Sequence, residues 1–201
     1  MKRFSDLFFF LPAFFAKVLY IAYLKTIRVQ VINRELAPAC MPSPRNPVYV
    51  GWHSKTFLFI PMYRNQKIGI LTLLDYKNRF YDSMSRFFGF QTVPVTSPQR
   101  ATLRLVQLLK EGSRIALAVD GPYGPRGAVK PGAVYLAQKT GRPIVPMRIE
   151  VEKSFRLEWR WDKYEIPFPF TKATISFEKP IYVTDPSGDT ESKIKTALGP
   201  C

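Results

Sequence analysis

"RIALAVDGPYGPRGAVKPGAVYLAQKTGRPIVPM", residues 114–147, is the stretch that decides the fold. It opens with "RIALAV", an apolar run of strand length, and then breaks into two Gly-Pro pairs at 121–122 and 124–125. Pro131 next opens a helix-period segment that Gly141 closes, and "PIVPM" resumes an apolar strand. Strand, rigid loop, helix and strand in one short run is the rhythm of a sheet with helices packed on its faces. The flanking chain keeps that rhythm, with candidate strands at 28–32, 47–51, 68–74, 91–95, 114–119, 143–150, 154–161 and 173–178, not all of them required to share one sheet. Ser97 and Pro98 open a helix over "QRATLRLVQLLKEG" that Gly112 ends, with Leu103, Val106 and Leu109 expected as its buried stripe. "RFYDSMSRFFGF" places Phe80, Met84, Phe87 and Phe88 on one side, a spacing typical of core packing.

The whole-chain balance narrows what such a body can bind. A chain of 201 residues with 46% hydrophobic content is long enough to bury a real core, and the excess of 30 Lys+Arg over 15 Asp+Glu gives +15. That charge implies an anionic partner: nucleic acid, an acidic membrane surface or a phosphorylated substrate. No zinc-finger or RNA-binding signature accompanies it, so the expectation is no nucleic acid. Cys40 and Cys201 share no motif, and no metal-ligand spacing occurs, so neither a disulfide framework nor a metal is expected. "LFFFLPAFFAKVLYIAYL", residues 7–24, is almost wholly apolar between Lys2, Arg3 and Lys25, Arg28. Eighteen helical residues reach only about 27 Å, short of a ~30 Å hydrocarbon core, and Pro12 and Lys17 interrupt the run. A buried core helix and a cleaved signal peptide are the alternatives; the basic flanks favour an anchor lying in one membrane face. The expected organisation is a hydrophobic anchor at 1–27, then one α/β domain at 28–201, with a Pro-rich stretch over 36–47 linking anchor to catalytic body. The tail from Asp185 is polar and carries no signal.

Two polar centres stand where such sheets keep their chemistry. His53, the only histidine, follows "VYVGW" at the C-terminal end of a buried-looking strand, and Asp120 follows "RIALAV" at the same end of another. Beyond Asp120, glycines at 121, 124 and 127 let backbone approach a ligand, and their N–H groups are candidates to face a phosphate or an oxyanion. Arg126 and Lys130 are the nearby cations. A rigid turn with a solvated arginine is the alternative to that cradle. A phosphate-loop reading fails because Ala133 stands where its lysine is needed, and no G-x-S-x-G elbow supports a serine hydrolase.

"GWHSK" at 51–55, "FFGFQTVP" at 87–94, the long motif from Val119 to Met147 and "WDKYEIPFPF" at 161–170 fall in an order that resembles the lysophospholipid acyltransferase superfamily. The similarity is nearest to a bacterial branch long described only as a domain of unknown function, and it runs from about residue 46 to 183. It implies an α/β fold with a mixed, mostly parallel sheet, helices on both faces and a hydrophobic membrane helix before it. It implies an enzyme that moves a fatty acyl group from an acyl-CoA or acyl-carrier-protein thioester to a hydroxyl of a lysophospholipid or related glycolipid, with no bound cofactor. By position His53 matches the family's general base, and Asp120, Gly121 and Arg126 match its acidic-glycine motif with the following arginine. Gly127, Lys130, Arg100 and Tyr123 complete the expected substrate-binding set. The implied setting is the cytoplasmic face of the inner membrane, against anionic lipid, with an acyl-carrier protein as a candidate partner. Three positions depart from the family pattern. Leu58 stands where an aspartate usually follows the histidine, Pro94 replaces an arginine after "GF", and Tyr123 replaces the first arginine of the glycine-proline loop. With Leu58 unable to hold the histidine, Asp120 is the candidate to do so. The same departures keep open a lipid-surface or partner-binding scaffold that has lost the chemistry.

Overall fold

A computed structural model of the chain describes residues 15–41, 46–73, 79–183 and 189–201. Its strands are β1 (Arg28–Ile32), β2 (Val48–Gly51), β3 (Ile68–Thr72), β4 (Gln91–Pro94), β5 (Arg114–Ala118), β6 (Ile144–Val151), β7 (Ser154–Arg156), β8 (Glu165–Pro167) and β9 (Lys172–Phe177). The helices are α1, described over residues 15–24, α2 (Thr56–Met62), α3 (Arg79–Phe87), α4 (Pro98–Lys110), α5 (Gly132–Thr140) and α6 (Asp189–Leu198). Seven strands make one sheet in the order β1-β9-β6-β2-β5-β3-β4, and β7 with β8 forms a separate hairpin. Five neighbours from β6 to β4 run parallel, while β9 pairs β6 antiparallel and carries β1 alongside it. The fold is α/β with a mixed, mostly parallel sheet.

Alternation along β2 shows why both faces need cover. Val48 and Val50 join α4, α5 and α6 through Leu105, Leu109, Leu136 and Ile194, whereas Tyr49 between them joins Leu58 and Phe59 of α2 with Tyr20 and Leu24 of α1 on the other side. All four residues of β2 are buried, as expected of a strand enclosed on both faces. α5 starts at Gly132 behind Pro131 and stops at Gly141, which adopts the left-handed conformation at φ +66. Ser97 caps α4 by accepting the backbone N–H of Arg100 at 3.3 Å.

Three expectations change. On α4 the buried residues are Ala101, Leu105, Leu108 and Leu109, and Leu103 is 68% exposed. The strand expected over 154–161 ends at Arg156, because the chain turns back and Leu157 N–H donates to Tyr164 O at 3.0 Å. The featureless tail contains α6, whose Thr190, Ile194 and Leu198 are buried at four-residue spacing. On α3, Met84 and the following Phe88 pack into the core as expected, while the side chain of Phe80 lies outside the described residues. Residues 1–14 of the expected anchor also lie outside them. Among the described residues no helix is long and apolar enough to cross a membrane.

Candidate active site

The site grows out of one register. β2 and β5 are parallel neighbours with Gly51 opposite Ala118, so two further residues past the end of each strand bring His53 beside Asp120. The pairing is through the main chain: His53 N–H donates to Asp120 Oδ1 at 2.9 Å. Asp120 is fully buried, and its other oxygen faces Gly127 N at 3.4 Å and Cys201 Sγ at 3.7 Å. This carboxylate is a bracket that ties the end of β2 to the loop beyond β5, and it does not touch the imidazole's nitrogens.

Asp162 holds the ring instead. Its Oδ2 lies 2.7 Å from His53 Nδ1, and it stands in the turn between β7 and β8, 109 positions further along the chain. Arg160 grips the same carboxylate from behind, Nε to Oδ1 at 2.8 Å and Nη2 to Oδ2 at 2.9 Å. Burial of Asp162 opposes its ionisation, but the bonds from Arg160 and His53 outweigh that and hold the carboxyl below the usual aspartate range. The same bonds raise the Arg160 guanidinium above its ordinary value. Against an ionised carboxylate, Nδ1 carries the proton, so Nε2 presents its lone pair. The His53 side chain keeps 31% of its surface exposed, and among the described residues no hydrogen bond is made to Nε2. A histidine with a carboxylate behind one nitrogen and the other open is the arrangement of a general base.

The walls explain the glycines. Trp161 lies with its ring centroid 5.3 Å from that of His53, and Gly124 sits against it: a Cβ there would fall 2.8 Å from Trp161 Cε3, at φ +73. A Cβ on Gly121 would lie 3.3 Å from His53 Cδ2, so this glycine keeps the flank of the base clear. Both Gly-Pro bonds, 121–122 and 124–125, are cis. Below the ring, Thr56 Oγ1 bonds His53 O at 3.0 Å and Tyr164 Oη at 3.3 Å, and burial pushes the Tyr164 hydroxyl up to about 12. Glu165, buried beside it, receives Lys55 at 2.6 Å and Arg156 at 3.1 Å.

The remaining candidates divide sharply. Arg126 donates from Nε to Asp162 O at 3.2 Å and from Nη2 to Cys201 O; Lys130 Nζ donates to Gly121 O at 2.9 Å. Both cations clamp the backbone of the site. The amides of Gly121, Gly124 and Gly127 are likewise engaged, with Ala118 O, Asp120 O and Asp120 Oδ2, so in this conformation the loop's glycine amides do not face an anion. Tyr123, 71% exposed, stands on the loop's rim. Arg100 opens α4 after β4, three strands from β2 in the sheet, roughly 14 Å across, and is not part of the cluster. The chain's last residues close the back: Trp52 Nε1 donates to Gly199 O at 3.0 Å, and burial pushes the Cys201 thiol above its ordinary value. Leu58 is in the core at 1% exposure, so that position has no reach to the imidazole. Sequence reasoning placed His53, Asp120 and the loop; it gave Asp162 and Arg160 no role, although Asp162 sits inside the quoted "WDKYEIPFPF".

No family model matches the chain. It is 27% identical over 140 residues to Uncharacterized protein RP090 of Rickettsia prowazekii (strain Madrid E), a match spanning 67% of this chain and 63% of that protein's length. Among solved structures, it is similar to the 1-acyl-sn-glycerophosphate (LPA) acyltransferase PlsC from Thermotoga maritima, with a TM-score of 0.62 and 18% identity over 97% of this chain and 86% of the other. The chain therefore has the fold of that acyltransferase across nearly its whole length.

Proposed function

We propose that the protein is a membrane-associated O-acyltransferase that moves a fatty acyl group from an acyl-CoA or acyl-carrier-protein thioester to a hydroxyl of a lysophospholipid or related glycolipid. The observation that carries the reading is the His53–Asp162 pair with Nε2 open, set at the C-terminal edge of parallel strands in an acyltransferase fold. The buried carboxylate behind an exposed imidazole favours an enzyme over a scaffold that has lost the chemistry.

In this reading His53 Nε2 takes the proton of the acceptor hydroxyl as its oxygen attacks the thioester carbonyl. The tetrahedral intermediate collapses by breaking the C–S bond, and the imidazolium returns the proton to the leaving thiolate. Asp162 stabilises that imidazolium and fixes its tautomer, and Arg160 fixes Asp162. A positioned base of this kind is worth ~10²- to 10⁴-fold. Gly121 leaves the approach to the base open, and Tyr123 on the rim stands where an acceptor headgroup would pass.

Membrane attachment is supported by α1. Its Tyr20 and Tyr23 turn inward onto Phe57 at 4.7 and 5.9 Å between ring centroids, while Phe15, Val18, Leu19 and Ala22, at i, i+3, i+4 and i+7, are exposed. An apolar outer stripe on a helix of a +15 chain suits the face of an anionic bilayer, and we place the protein on the cytoplasmic side of the inner membrane, where both thioester donors are made.

The test is turnover of labelled acyl-CoA or acyl-carrier protein by purified protein over a panel of lysophospholipids and glycolipids. His53→Ala is expected to lower kcat at least 100-fold with the fold retained. Equal turnover by the variant and the unmutated chain overturns the mechanism, and no turnover with any acceptor leaves only the lipid-binding scaffold.

A further inference from the structure

The hairpin that supplies Asp162 also carries two adjoining exposed aromatic side chains, one of them, Trp159, the most exposed large hydrophobic among the described residues. In its register Phe155 faces Ile166, while in the adjoining pair Glu165 is buried and turns inward to Lys55, with Arg156 reaching it from the exposed side. Strand alternation therefore sets Phe155 on the outer face. Phe155 is half exposed and Trp159, in the turn, is 77% exposed, with their ring centroids 6.5 Å apart. Phe170, just past β8, is also exposed. Large adjoining aromatics left in water mark an interaction surface.

Charge and position identify the partner. Exposed Lys153, Lys163 and Lys172 lie along this part of a +15 chain, Lys163 paired with Glu158 at 2.9 Å and Lys172 near Glu152 at 3.9 Å, with Lys153 in neither pair. Self-association through this face would bring two strongly positive bodies together, whereas exposed aromatic rings on a strongly basic chain suit the headgroup region of an anionic bilayer. The hairpin also adjoins α1, where Tyr23 Oη donates to Pro167 O, and just beyond it Arg28 of β1 donates from Nη2 to Phe170 O at 3.3 Å.

We propose that the β7–β8 hairpin is a second membrane foot, seating Trp159 and Phe155 in the interface of an anionic lipid bilayer beside α1. The inference rests on the membrane reading above and adds a consequence to it. The turn that enters the interface is the one that holds Trp161 and Asp162 against His53, so docking sets the catalytic imidazole at headgroup depth, where a lysolipid keeps its free hydroxyl.

The experiment uses the full chain and phosphatidylglycerol/phosphatidylcholine vesicles with brominated acyl chains. Of the three tryptophans, Trp52 is buried and Trp161 packs on His53, so interfacial quenching reports Trp159. Quenching of the unmutated protein that disappears in Trp159→Phe, together with at least tenfold weaker vesicle binding by Trp159→Ser/Phe155→Ser at unchanged circular dichroism, is the expected result. Equal quenching in Trp159→Phe, or vesicle binding by the double variant within twofold of the unmutated chain, overturns the proposal. So does lipid-free dimerisation that the double variant abolishes. Val18→Glu/Leu19→Glu separates the two readings: if it alone loses binding, α1 anchors and the hairpin does not, and if it binds normally while the hairpin variant fails, the α1 assignment falls and the hairpin stands.

Discussion

Replacing Asp162 by asparagine tests the site at its least obvious point. The exchange keeps shape and volume but removes a charge that accepts three bonds, from His53 Nδ1 at 2.7 Å and from Arg160 Nε and Nη2 at 2.8 and 2.9 Å. An asparagine offers one acceptor oxygen, and the bidentate Arg160 claims it. The amide's own N–H₂ is then left facing Nδ1, which must accept, so the imidazole proton moves to Nε2 and the base is lost. In a Ser-His-Asp triad the same exchange costs about 10⁴ in kcat. Here there is no serine to activate, and a loss of ~10²- to 10⁴-fold is expected. Charge-assisted bonds contribute about 1.5–3 kcal/mol when buried. Arg160 is 34% exposed, which screens its share, so the stability loss should be about 1–2 kcal/mol, roughly 3–6 °C in Tm for a chain of this length. Single-turnover acyl transfer and thermal unfolding, measured on the same preparation, check both numbers. A variant that loses the Tm but keeps its kcat would falsify the dyad and leave Asp162 a purely structural clamp.

Three further outcomes follow from the same geometry. Because Asp162 titrates below its unfolded value of ~3.9, its stabilisation is fully present above that pH and is lost as pH falls through the lower folded value; Asp162→Asn should show a flatter acid limb in urea midpoint against pH. Leu58→Asp, which restores the residue the resembled family carries, should not raise activity, since position 58 lies in the core; a buried carboxylate there costs several kcal/mol, and soluble yield and Tm should both drop. Gly124→Ala meets Trp161 Cε3 at 2.8 Å in a left-handed backbone and should destabilise by about 1–3 kcal/mol, with activity falling further than stability because Trp161 flanks the base; an unchanged kcat at lowered Tm would show that Trp161 only packs.

Local pattern carried the sequence reading as far as neighbouring strands. The strand–loop–helix–strand unit from Arg114 needed only its own prolines and glycines to be legible, and the positions of His53 and Asp120 followed from where β2 and β5 end. Asp162 was hidden because "SFRLEWRW" alternates like a continuing strand, and only the bond from Leu157 to Tyr164 reveals that the chain doubles back. A partner 109 positions away is set by how the hairpin lands on the sheet, which periodicity does not encode. On α4, Leu103 and Leu105 lie about 200° apart around the helix, so only one can face the sheet, and the packing of α5 chooses Leu105. α6 offered three core residues in ten, too sparse a stripe to stand out from a polar tail. The loop's cations were found in the right place but with other work: Arg126 and Lys130 hold backbone.

Gly51 faces Ala118 in the parallel pair at the middle of the sheet, and the match is preserved two residues later at His53 and Asp120. Residue count within those two strands is thus a fixed quantity for this molecule. One residue added between Val48 and His53 would send the imidazole to the opposite face of the sheet, while Asp120 and Asp162 stayed behind, each facing a main chain or ring no longer there. Surface connections elsewhere in a fold lengthen at small entropic cost, but the short run from β2 into its histidine can be neither stretched nor trimmed.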